Sequence, residues 1–494
     1  MKIGKYHLDN VQEEIVKTTA QYLLVTAGAG SGKTLTILGK IAYLINEKGL
    51  QSTDILCLTF TNAATLSLKA KIKNELNLTV PTYTFHKLSL EILNDAKIDY
   101  AIADSNILED IVDEFFTNDI YNSPYLLNLL LKYLKIPNRK PSEIPKKELY
   151  QLEKTSIGFI RLMKCNNYNL SDFLIFLSKI KKTPNYRKYR QEKTLLTMIL
   201  NCFIKYQTYL IENNEIDFDD MIIKATKLVT ESHFLKNIKY IIIDEYQDTS
   251  LIRFNLIKEI IKKNNSKLMV VGDDYQSIYK FTGCDLSLFL NFSTYFPDAK
   301  IMKLEQTYRN SQQLIEIAGK FIIKNKYQIK KELYSKKNLK NPIKIINYHD
   351  IQKSFLQIIK ELSNNINQKI LVLGRNNFDI NDILNNEIKL KQDKLIIKNY
   401  ETLDITYMTI HKSKGLESDN VILLNLRQEI TGFPSQIKDS QLFRLINKKD
   451  IYPYSEERRL FYVALTRTKN YVYLLTPNKN PSIFIQELIN IKNS

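Results

Sequence analysis

The chain of 494 residues has 44% hydrophobic and 25% charged residues, which is typical of a soluble globular protein with roughly two to four domains. No apolar run approaches the length of a membrane span, and the N-terminus lacks the apolar region of a signal peptide. The four cysteines are too far apart to suggest a zinc site or a disulfide framework, so we expect a reduced, cytoplasmic setting. Lys and Arg outnumber Asp and Glu by 71 to 53, and the net charge of +18 favours a polyanionic partner such as nucleic acid, although a lysine-rich composition bias produces the same charge without one.

The first predicted element is a phosphate-binding loop in the stretch LVTAGAGSGKTLT, residues 24–36. An apolar run precedes the loop and a helix-capable stretch, Leu35 to Asn46, follows it, as the motif GxxxxGK[ST] requires. The glycines let backbone N–H groups surround phosphate oxygens, Lys33 is expected to reach the β- and γ-phosphates, and Thr34 is expected to hold Mg²⁺. The residues predicted to bind ATP or GTP here are Ala27, Gly28, Ala29, Gly30, Ser31, Gly32, Lys33 and Thr34.

A second strand, a helix and a long helical region follow the loop. The stretch ILCLTF (55–60) predicts the strand, NAATLSLKAKIKNEL predicts the helix, and residues 95–210 show mainly helical periodicity. Only beyond this region does the apolar strand of YIIIDEYQDTS end in a pair of acids, of which Asp244 can bind Mg²⁺ and Glu245 can polarise the attacking water. A compact nucleotide-binding domain needs much less chain, so we predict that a helical subdomain is inserted in the first α/β domain.

Short apolar strands alternate with helical stretches again from about residue 300, which predicts a second parallel α/β unit. The predicted strands are IKIINY (343–348), KILVLGR (369–375), ITYMTIH (405–411), NVILLNL (420–426) and YVYLLT (471–476). This half of the chain has no phosphate-binding loop of its own. Two such domains with one loop suggest a single nucleotide at their interface, where hydrolysis changes the separation of the domains.

Tyrosines are interspersed among the basic residues of two runs, Lys179 to Lys193 and Lys324 to Lys340. Aromatic residues among basic ones are typical of a groove for single-stranded nucleic acid. A solvated helix face explains either run equally well.

The motifs, taken in order from residue 8 to residue 469, resemble those of the UvrD/Rep-like superfamily 1 DNA helicases. Besides the loop, the matching stretches are LDNVQEEIV, CLTFTNAAT, TYTFHKLSLEIL, IDFDDMI, DEYQDTS, VVGDDYQSIYKFTGCD, LEQTYRN, MTIHKSKGLESDNVIL and EERRLFYVALTRTK. The resemblance implies an α/β protein with two RecA-like domains and an inserted helical subdomain. It also implies roles at the nucleotide for Gln12 (adenine), Tyr308 (stacking on adenine), Glu417 (ribose), Gln276 (γ-phosphate), and Arg309 and Arg467 (transition-state charge).

Alternatives to these roles come from the residues read singly. Gln276 alone is a loop glutamine, and both arginines could form surface salt bridges. Fixed guanidinium groups can nevertheless neutralise the charge that phosphoryl transfer leaves on the γ-oxygens. Arg375, at the end of LVLGR, looks like a further arginine of the family without a definite role.

The DNA path implied by the resemblance is non-specific for sequence. Aromatic faces accept any base, and hydroxyls or amides hold phosphates. Ordinary core packing is the alternative for Phe85 and Phe281, and Phe281 replaces a tryptophan that the family often has. The residues expected on the path are Thr59, Thr61, Asn62, Phe85, His86, Phe281 and His411.

A second accessory subdomain, which relatives insert between LEQTYRN and MTIHKSKGLE, is expected to be absent or vestigial, because the stretch from Asn310 to Met408 is too short for it. We expect no fused nuclease after Thr476. The predicted domains are residues 1–94 with 211–298 (first RecA-like, ATP-binding), 95–210 (helical subdomain) and 299–494 (second RecA-like).

The resemblance implies an ATP- and Mg²⁺-dependent 3′ to 5′ translocase and helicase that acts on single-stranded and 3′-tailed duplex DNA. An ATP-gated DNA-binding switch and a small-molecule kinase or ATPase are the alternatives. Protein partners stay open, a nuclease and a replication initiator among them, as does the pathway, whether repair, plasmid or phage replication, or defence. No membrane partner is expected.

Overall fold

The computed structural model describes residues 1–136, 143–180, 186–231, 237–437, 440–446 and 452–493. Within these ranges, one sheet of six strands and one of seven organise the fold. The first sheet contains β1 (Tyr22–Ala27), β2 (Ile55–Thr59), β3 (Thr82–Thr84), β4 (Tyr240–Ile243), β5 (Lys267–Gly272) and β6 (Lys300–Leu304). The second contains β7 (Ile343–Tyr348), β8 (Lys369–Gly374), β9 (Ile388–Lys391), β10 (Lys394–Ile397), β11 (Asp404–Thr409), β12 (Ser418–Leu423) and β13 (Thr468–Pro477). Two-residue ladders join Lys2–Ile3 to Tyr6–His7 and Ala101–Ile102 to Glu215–Ile216.

The first sheet is parallel throughout, with the strand order β6-β1-β5-β4-β2-β3. Strands β1 and β4 are almost entirely buried and apolar, because hydrophobic clusters cover both faces of the sheet. The carboxyl ends of parallel strands meet at one edge, which places the residues that follow β1, β2, β4 and β5 near one another.

The second sheet has the order β7-β13-β12-β8-β11-β10-β9. Its first five strands are parallel, and the hairpin of β9 and β10 adds an antiparallel edge. The two parallel α/β sheets and the helical insert confirm the predicted fold class. Between Asn310 and Met408 the chain forms β7 to β10, nearly all of β11 and the helices Gln312–Ile322 and Ile351–Leu362.

Helices cover the two sheets and form the insert. They are Asn10–Lys17, Lys33–Asn46, Asn62–Leu76, Phe85–Asp95, Ile107–Glu114, Ile120–Asn122, Pro124–Leu134, Lys146–Cys165, Asp172–Lys179, Tyr186–Glu212, Phe218–Thr230, Leu251–Asn264, Ser287–Leu290, Phe292–Tyr295, Gln312–Ile322, Ile351–Leu362, Ser455–Leu465 and Ile483–Asn493. Short 3₁₀ turns at Tyr246–Asp248 and Asp274–Gln276 follow β4 and β5. No helix among the described residues is long and apolar enough to cross a membrane. The four cysteines are buried free thiols.

Strand β6 departs from the predicted domain boundary. The sequence assigns residues from 299 onward to the second domain, but Lys300–Leu304 pairs with Tyr22–Ala27 at the edge of the first sheet. The strand has exposed residues at its start and therefore lacks the continuous apolar run by which buried strands are recognised. The first sheet thus ends after Leu304.

The helical insert has a hydrophobic core of its own, and a distant segment contributes to it. Leu442 and Leu445 are buried among the insert's apolar side chains, and the ring of Phe443 stacks on Phe159 with 6.3 Å between centroids. Arg444 Nη2 lies 2.7 Å from a carboxylate oxygen of Glu192. The docked segment, residues 440–446, therefore joins the insert to the half of the chain that carries the second sheet.

Removing the Leu442 side chain should weaken this junction. Leu442 is 1% exposed, so we expect Leu442→Ala to lower the free energy of unfolding by about 2 to 5 kcal/mol, the usual loss for a buried leucine. Thermal or denaturant unfolding measures the change. The neighbouring Gln441→Ala, at an exposed position, is the control. Equal stability of both variants would mean that the segment does not hold the insert.

Candidate functional site

The predicted phosphate-binding loop lies between β1 and the helix Lys33–Asn46. Gly30 and Gly32 have φ values of +71° and +79°, a region that favours glycine. A Cβ atom on Gly30 would lie 2.5 Å from Arg309 Cβ, so the loop also needs glycine for a close approach. No side chain caps the start of the helix, which leaves its N–H groups for an anion.

Lys33 and Glu245 form an ion pair beside the loop. Lys33 Nζ lies 2.7 Å from Glu245 Oε1, and Gln247 Nε2 donates to Glu245 Oε2. Burial opposes both charges, but their mutual attraction outweighs it, so the pKa of Lys33 is raised and the pKa of Glu245 is lowered to about 2. Glu245 also has a φ of +54°, a costly conformation of the kind found at functional sites. Glu245 is therefore held ionised next to the loop.

Asp244 is the first residue after β4 and lies directly before Glu245 in the sequence. Burial and the Glu245 carboxylate raise the pKa of Asp244 to about 6, against the opposing effect of Lys33. Within the described residues, no group of three or more His, Cys, Asp or Glu is arranged to hold a metal ion. Mg²⁺ does not require one, since it commonly takes one or two carboxylates together with the phosphates of a substrate. Asp244 and the hydroxyl of Thr34 fit that donor set.

Gln276 and Arg467 connect the two sheets across the cleft. Arg467 Nη2 donates to Gln276 Oε1 at 2.8 Å, and Gln276 Nε2 donates to Asp273 Oδ2 at 2.6 Å. Arg467 is 1% exposed, and burial together with the nearby Arg309 lowers its pKa to about 9. Its remaining donors contact the carbonyl oxygens of Val463 and Leu416. The structure therefore brings this predicted pair into direct contact.

Arg309 lies against Gly30 of the loop. Its Nε donates to Glu417 Oε2 at 2.8 Å, and its Nη1 donates to the carbonyl of Thr466 at 3.3 Å. Burial would raise the pKa of Glu417, but Arg309 and Lys469 lower it. Both arginines thus stand in the same cleft, and Arg309 pairs with the residue predicted to meet the ribose.

Gln12 and Tyr308 flank the loop at the end predicted for adenine. Asp9 caps the first helix and donates from its backbone N–H to Gln12 Oε1 at 3.0 Å, which leaves Gln12 Nε2 buried and without a partner. A Cβ atom on Gly32 would lie 2.6 Å from this nitrogen and 3.6 Å from Tyr308 Cε2. Tyr308 donates its hydroxyl to Asp9 Oδ2 at 2.7 Å. An unsatisfied buried donor at this place fits a base that accepts a hydrogen bond.

Several side chains of the cleft were missed by the sequence analysis. Asp273 accepts from Gln276, and its backbone N–H donates to Gln247 Oε1 at 2.9 Å. Lys414 forms a buried ion pair with Asp248 and donates to the carbonyl of Gln276 at 2.7 Å. Asp273, Gln247, Lys414 and Asp248 all lie within the quoted motifs, which were the available signal, but most of the contacts named here join residues that are distant in sequence.

The predicted DNA-contacting residues divide by exposure. Phe281 is 62% exposed, and its ring centroid lies 5.6 Å from that of His411. Thr61 and Asn62 are exposed at the start of the helix Asn62–Leu76, and Thr61 accepts from Ala64 N as its cap. His86 is half-buried against the ring of Phe218, and burial and Arg253 lower its pKa to about 4. Burial, Arg375 and Lys414 lower the pKa of His411 to about 4 as well. Both imidazoles are therefore neutral near pH 7.

Two of the residues predicted to contact DNA are buried. Phe85 is 1% exposed and packs in the core against Phe60, so no base can stack on its ring. The Thr59 hydroxyl is buried and shares a hydrogen bond of 2.6 Å with the Thr65 hydroxyl. The helix that begins at Phe85 buries that side chain under the sheet, which was the core-packing alternative.

Arg375 and the basic run Lys179 to Lys193 are the remaining candidates. Arg375 makes a bidentate contact with Glu457, with Nη2 2.8 Å from Oε1. This contact gives Arg375 a structural partner within the second sheet's half of the chain. The basic run Lys179 to Lys193 falls partly outside the described residues, at 181–185.

Comparison with known proteins gives matches to two family models. Residues 8–297 match the UvrD/REP helicase N-terminal domain, and residues 379–479 match the UvrD-like helicase C-terminal domain. DNA helicase IV of Escherichia coli is 26% identical over 506 residues, which cover 98% of this chain and 70% of that protein. ATP-dependent DNA helicase Rep of Buchnera aphidicola is 32% identical over 71% of this chain and 50% of its own length. ATP-dependent DNA helicase PcrA of Bacillus subtilis is 30% identical over 66% of this chain and 41% of its own length. The chain thus spans about half the length of the latter two relatives.

Proposed function

Because the chain belongs to the UvrD/REP helicase family, we propose that it is an ATP-dependent DNA helicase that translocates 3′ to 5′ along single-stranded DNA. The observation that carries the proposal is the hydrogen bond of 2.8 Å between Arg467 and Gln276. It joins a residue after β5 of the first sheet to one beside β13 of the second, at the phosphate-binding cleft. A nucleotide in this cleft would be sensed by both halves of the chain, as a motor requires.

Hydrolysis would begin with an exchange of partners at Lys33. The nucleotide and Mg²⁺, when bound, supply the phosphoryl group and the neutralisation of its charge. Phosphate oxygens would take the ammonium of Lys33 away from Glu245, which leaves the carboxylate to orient a water molecule and accept its proton. Asp244 and Thr34 would hold the metal, and Gln12 Nε2 would donate to the base.

The two arginines would make this reaction depend on closure of the cleft. Arg309 and Arg467 come from the chain after β6, whereas Lys33 and Glu245 follow strands β1 and β4 of the first sheet. Guanidinium groups that reach the γ-oxygens only in the closed cleft accelerate hydrolysis only there. The Lys414–Asp248 ion pair spans the same interface and would break and form in each cycle.

We propose that DNA lies across Thr61, Asn62, His86, Phe281 and His411, without Phe85 and the Thr59 hydroxyl. Exposed hydroxyl and amide groups suit phosphates, and the exposed ring of Phe281 suits any base. The net charge of +18 supports a nucleic-acid partner. A cytoplasmic location belongs to the same proposal.

We retain the domain division as a proposal with one change. Residues 1–94 and 211–298 would form the first RecA-like domain, 95–210 the helical subdomain and 299–494 the second RecA-like domain, except that β6 extends the first to Leu304.

Displacement of a strand from a 3′-tailed duplex tests the function. A helicase should release the strand with ATP and not release it from a 5′-tailed duplex. ATP hydrolysis stimulated by single-stranded DNA without strand release would favour the ATP-gated switch. Hydrolysis indifferent to DNA would contradict both and favour a small-molecule ATPase.

Phe281 should be a stepping surface and not a packing residue. Stacking of a base on an aromatic side chain is worth about 1 to 3 kcal/mol, so Phe281→Ala should weaken single-strand binding and uncouple hydrolysis from unwinding, whereas Phe281→Trp should preserve both. Because the ring is 62% exposed, neither change should lower the melting temperature much. Tyr125→Ala, at a 60% exposed aromatic of the insert, is the control. An early-melting Phe281→Ala variant with normal DNA binding would contradict the prediction.

A further inference from the structure

A buried lysine lies next to the cleft and has no place in the proposed mechanism so far. Lys331 belongs to a basic run, yet its side chain is 0% exposed. Its ammonium lies 2.6 Å from Asp274 Oδ1, pairs with Asp273 Oδ1 and sits 3.9 Å from the centre of the Tyr275 ring. The attraction of the two carboxylates raises the pKa of Lys331 in spite of burial. The ammonium is therefore a fixed charge inside the protein.

Asp273 connects the ammonium of Lys331 to the side-chain amide of Gln276 by hydrogen bonds. One carboxylate oxygen, Oδ1, accepts from Lys331 and from Tyr275 N, and the other, Oδ2, accepts from Gln276 Nε2 at 2.6 Å. An amide has one donor end and one acceptor end, so this bond turns Gln276 Oε1 towards Arg467. A continuous chain of hydrogen bonds thus runs from Lys331 through Asp273 and Gln276 to Arg467.

The segment that carries Lys331 also touches the other parts of the nucleotide site. We call residues 327–335 the strap. Lys331 Nζ donates to the carbonyl of Ala27 at 3.2 Å, and a Cβ atom on Gly28 would lie 2.5 Å from Leu333 Cδ2. The carbonyl of Tyr334 accepts from Thr307 N at 2.9 Å, just before Tyr308 and Arg309. The strap therefore packs on the phosphate-binding loop and on the segment of Arg309.

Stability alone is a weak reason for such a cluster. Removing an ammonium and two carboxylates from water is costly, and apolar replacements of buried ion pairs are often as stable or more so. The cluster is, however, well suited to holding one orientation of a neighbouring amide, because its charges have no room to move.

We propose that Lys331 is a positioning residue for ATP hydrolysis, which acts through Asp273 to hold Gln276 towards the γ-phosphate and Arg467. This inference rests on the proposed ATPase function. It places the control of Gln276 in the strap, at a residue whose described contact with the phosphate-binding loop is the one hydrogen bond to the backbone carbonyl of Ala27. Loss of Lys331 should then act on turnover and not on nucleotide affinity.

A double-mutant cycle tests the proposal on the full chain with single-stranded DNA. Lys331→Met should lower kcat by about tenfold or more and leave the KM for ATP within about twofold. In a Gln276→Ala background, Lys331→Met should lower kcat no further, because the residue through which it acts is gone. Equal losses in both backgrounds would overturn the proposal, since a merely structural role is independent of Gln276.

A matched control separates positioning from folding. Lys164 is also buried between two carboxylates, those of Asp217 and Asp220, and lies 5.1 Å from the Tyr206 ring centre. Lys164→Met should lower the melting temperature about as much as Lys331→Met but leave the DNA-free hydrolysis rate unchanged. Equal loss of that rate in both variants would overturn the assignment.

A second variant covers a failure to fold. If Lys331→Met is unfolded, Lys331→Arg keeps the charge but changes the geometry, and the same cycle with Gln276→Ala applies to it with the same two outcomes. An inactive but folded wild-type protein would instead contradict the proposed function, because the cycle needs a wild-type rate.

Discussion

Glu245→Gln is expected to stop DNA-stimulated ATP hydrolysis while ATP still binds. Glutamine keeps the size of glutamate, but its single amide oxygen replaces only one of the two carboxylate oxygens that accept from Lys33 and Gln247, and it cannot take a proton from water. A positioned general base contributes roughly 10² to 10⁴ in rate, so phosphate release should fall by at least that much. Phosphate release and equilibrium binding of a fluorescent ATP analogue measure the two effects. Hydrolysis near the wild-type rate would remove Glu245 from the role of base.

Lys33→Ala should remove hydrolysis by a different route, because the loop loses its phosphate-binding charge. Affinity for the nucleotide should fall as well, which distinguishes this variant from Glu245→Gln. Lys40 is a matched control, since it lies on the same helix, is 1% exposed and donates to the carbonyls of Val16 and Thr18 instead of facing the cleft. Lys40→Met should therefore affect stability and not phosphate binding.

The buried parallel strands could be predicted well from the sequence. Strand β8, which is buried from Ile370 to Gly374, lies within one residue of its predicted bounds, 369–375, and the helix Asn62–Leu76 coincides with NAATLSLKAKIKNEL. Strands covered on both faces are continuous apolar runs, and a helix bounded by the cap Thr61 and by Asn77 in a left-handed conformation has clear ends. Such signals are local, and local signals survive in a single sequence.

Contacts between distant segments could not be predicted in the same way. The pairing of β6 with β1 depends on how the chain crosses the sheet, and nothing in KIMKL indicates its neighbour. The pairing of Lys331 with Asp273 joins residues 58 positions apart, and Lys331 is one of many lysines in its run. The residue type of Phe85 fits both a DNA contact and core packing, and only its burial in the structure favours the core. The nucleotide site was predictable because its motifs are contiguous, whereas the groups that orient its residues are not.

Replacement of either cleft arginine should reduce turnover far more than nucleotide affinity. Arginines that neutralise charge in phosphoryl transfer contribute roughly 10³ to 10⁵ in rate, and we expect Arg309→Ala and Arg467→Ala each to lose a factor in that range. The two residues lie close together but have different partners. Arg309 pairs with Glu417, and Arg467 bonds Gln276, so their losses should arise separately.

Arg467 requires the stricter control, because its side chain is almost fully buried. Alanine would remove the donor to Gln276 Oε1 and to the carbonyl of Leu416, at a cost of about 1 to 3 kcal/mol for each buried group left unpaired. Arg458 lies in the adjoining helix Ser455–Leu465, is 5% exposed and makes a bidentate contact with Glu487 away from the cleft.

Arg458→Ala should therefore cost comparable stability and leave turnover intact, and melting temperatures should be compared before rates. Arg467→Lys keeps the positive charge but not the planar fork of donors, so it should fold better than Arg467→Ala and still hydrolyse ATP slowly. Normal DNA-stimulated hydrolysis by a folded Arg309→Ala or Arg467→Lys variant would show that the corresponding arginine does not assist the hydrolysis of the nucleotide on which Glu245 acts. A rate loss in Arg458→Ala equal to that in Arg467→Ala would assign both effects to packing of the helix and not to charge in the cleft.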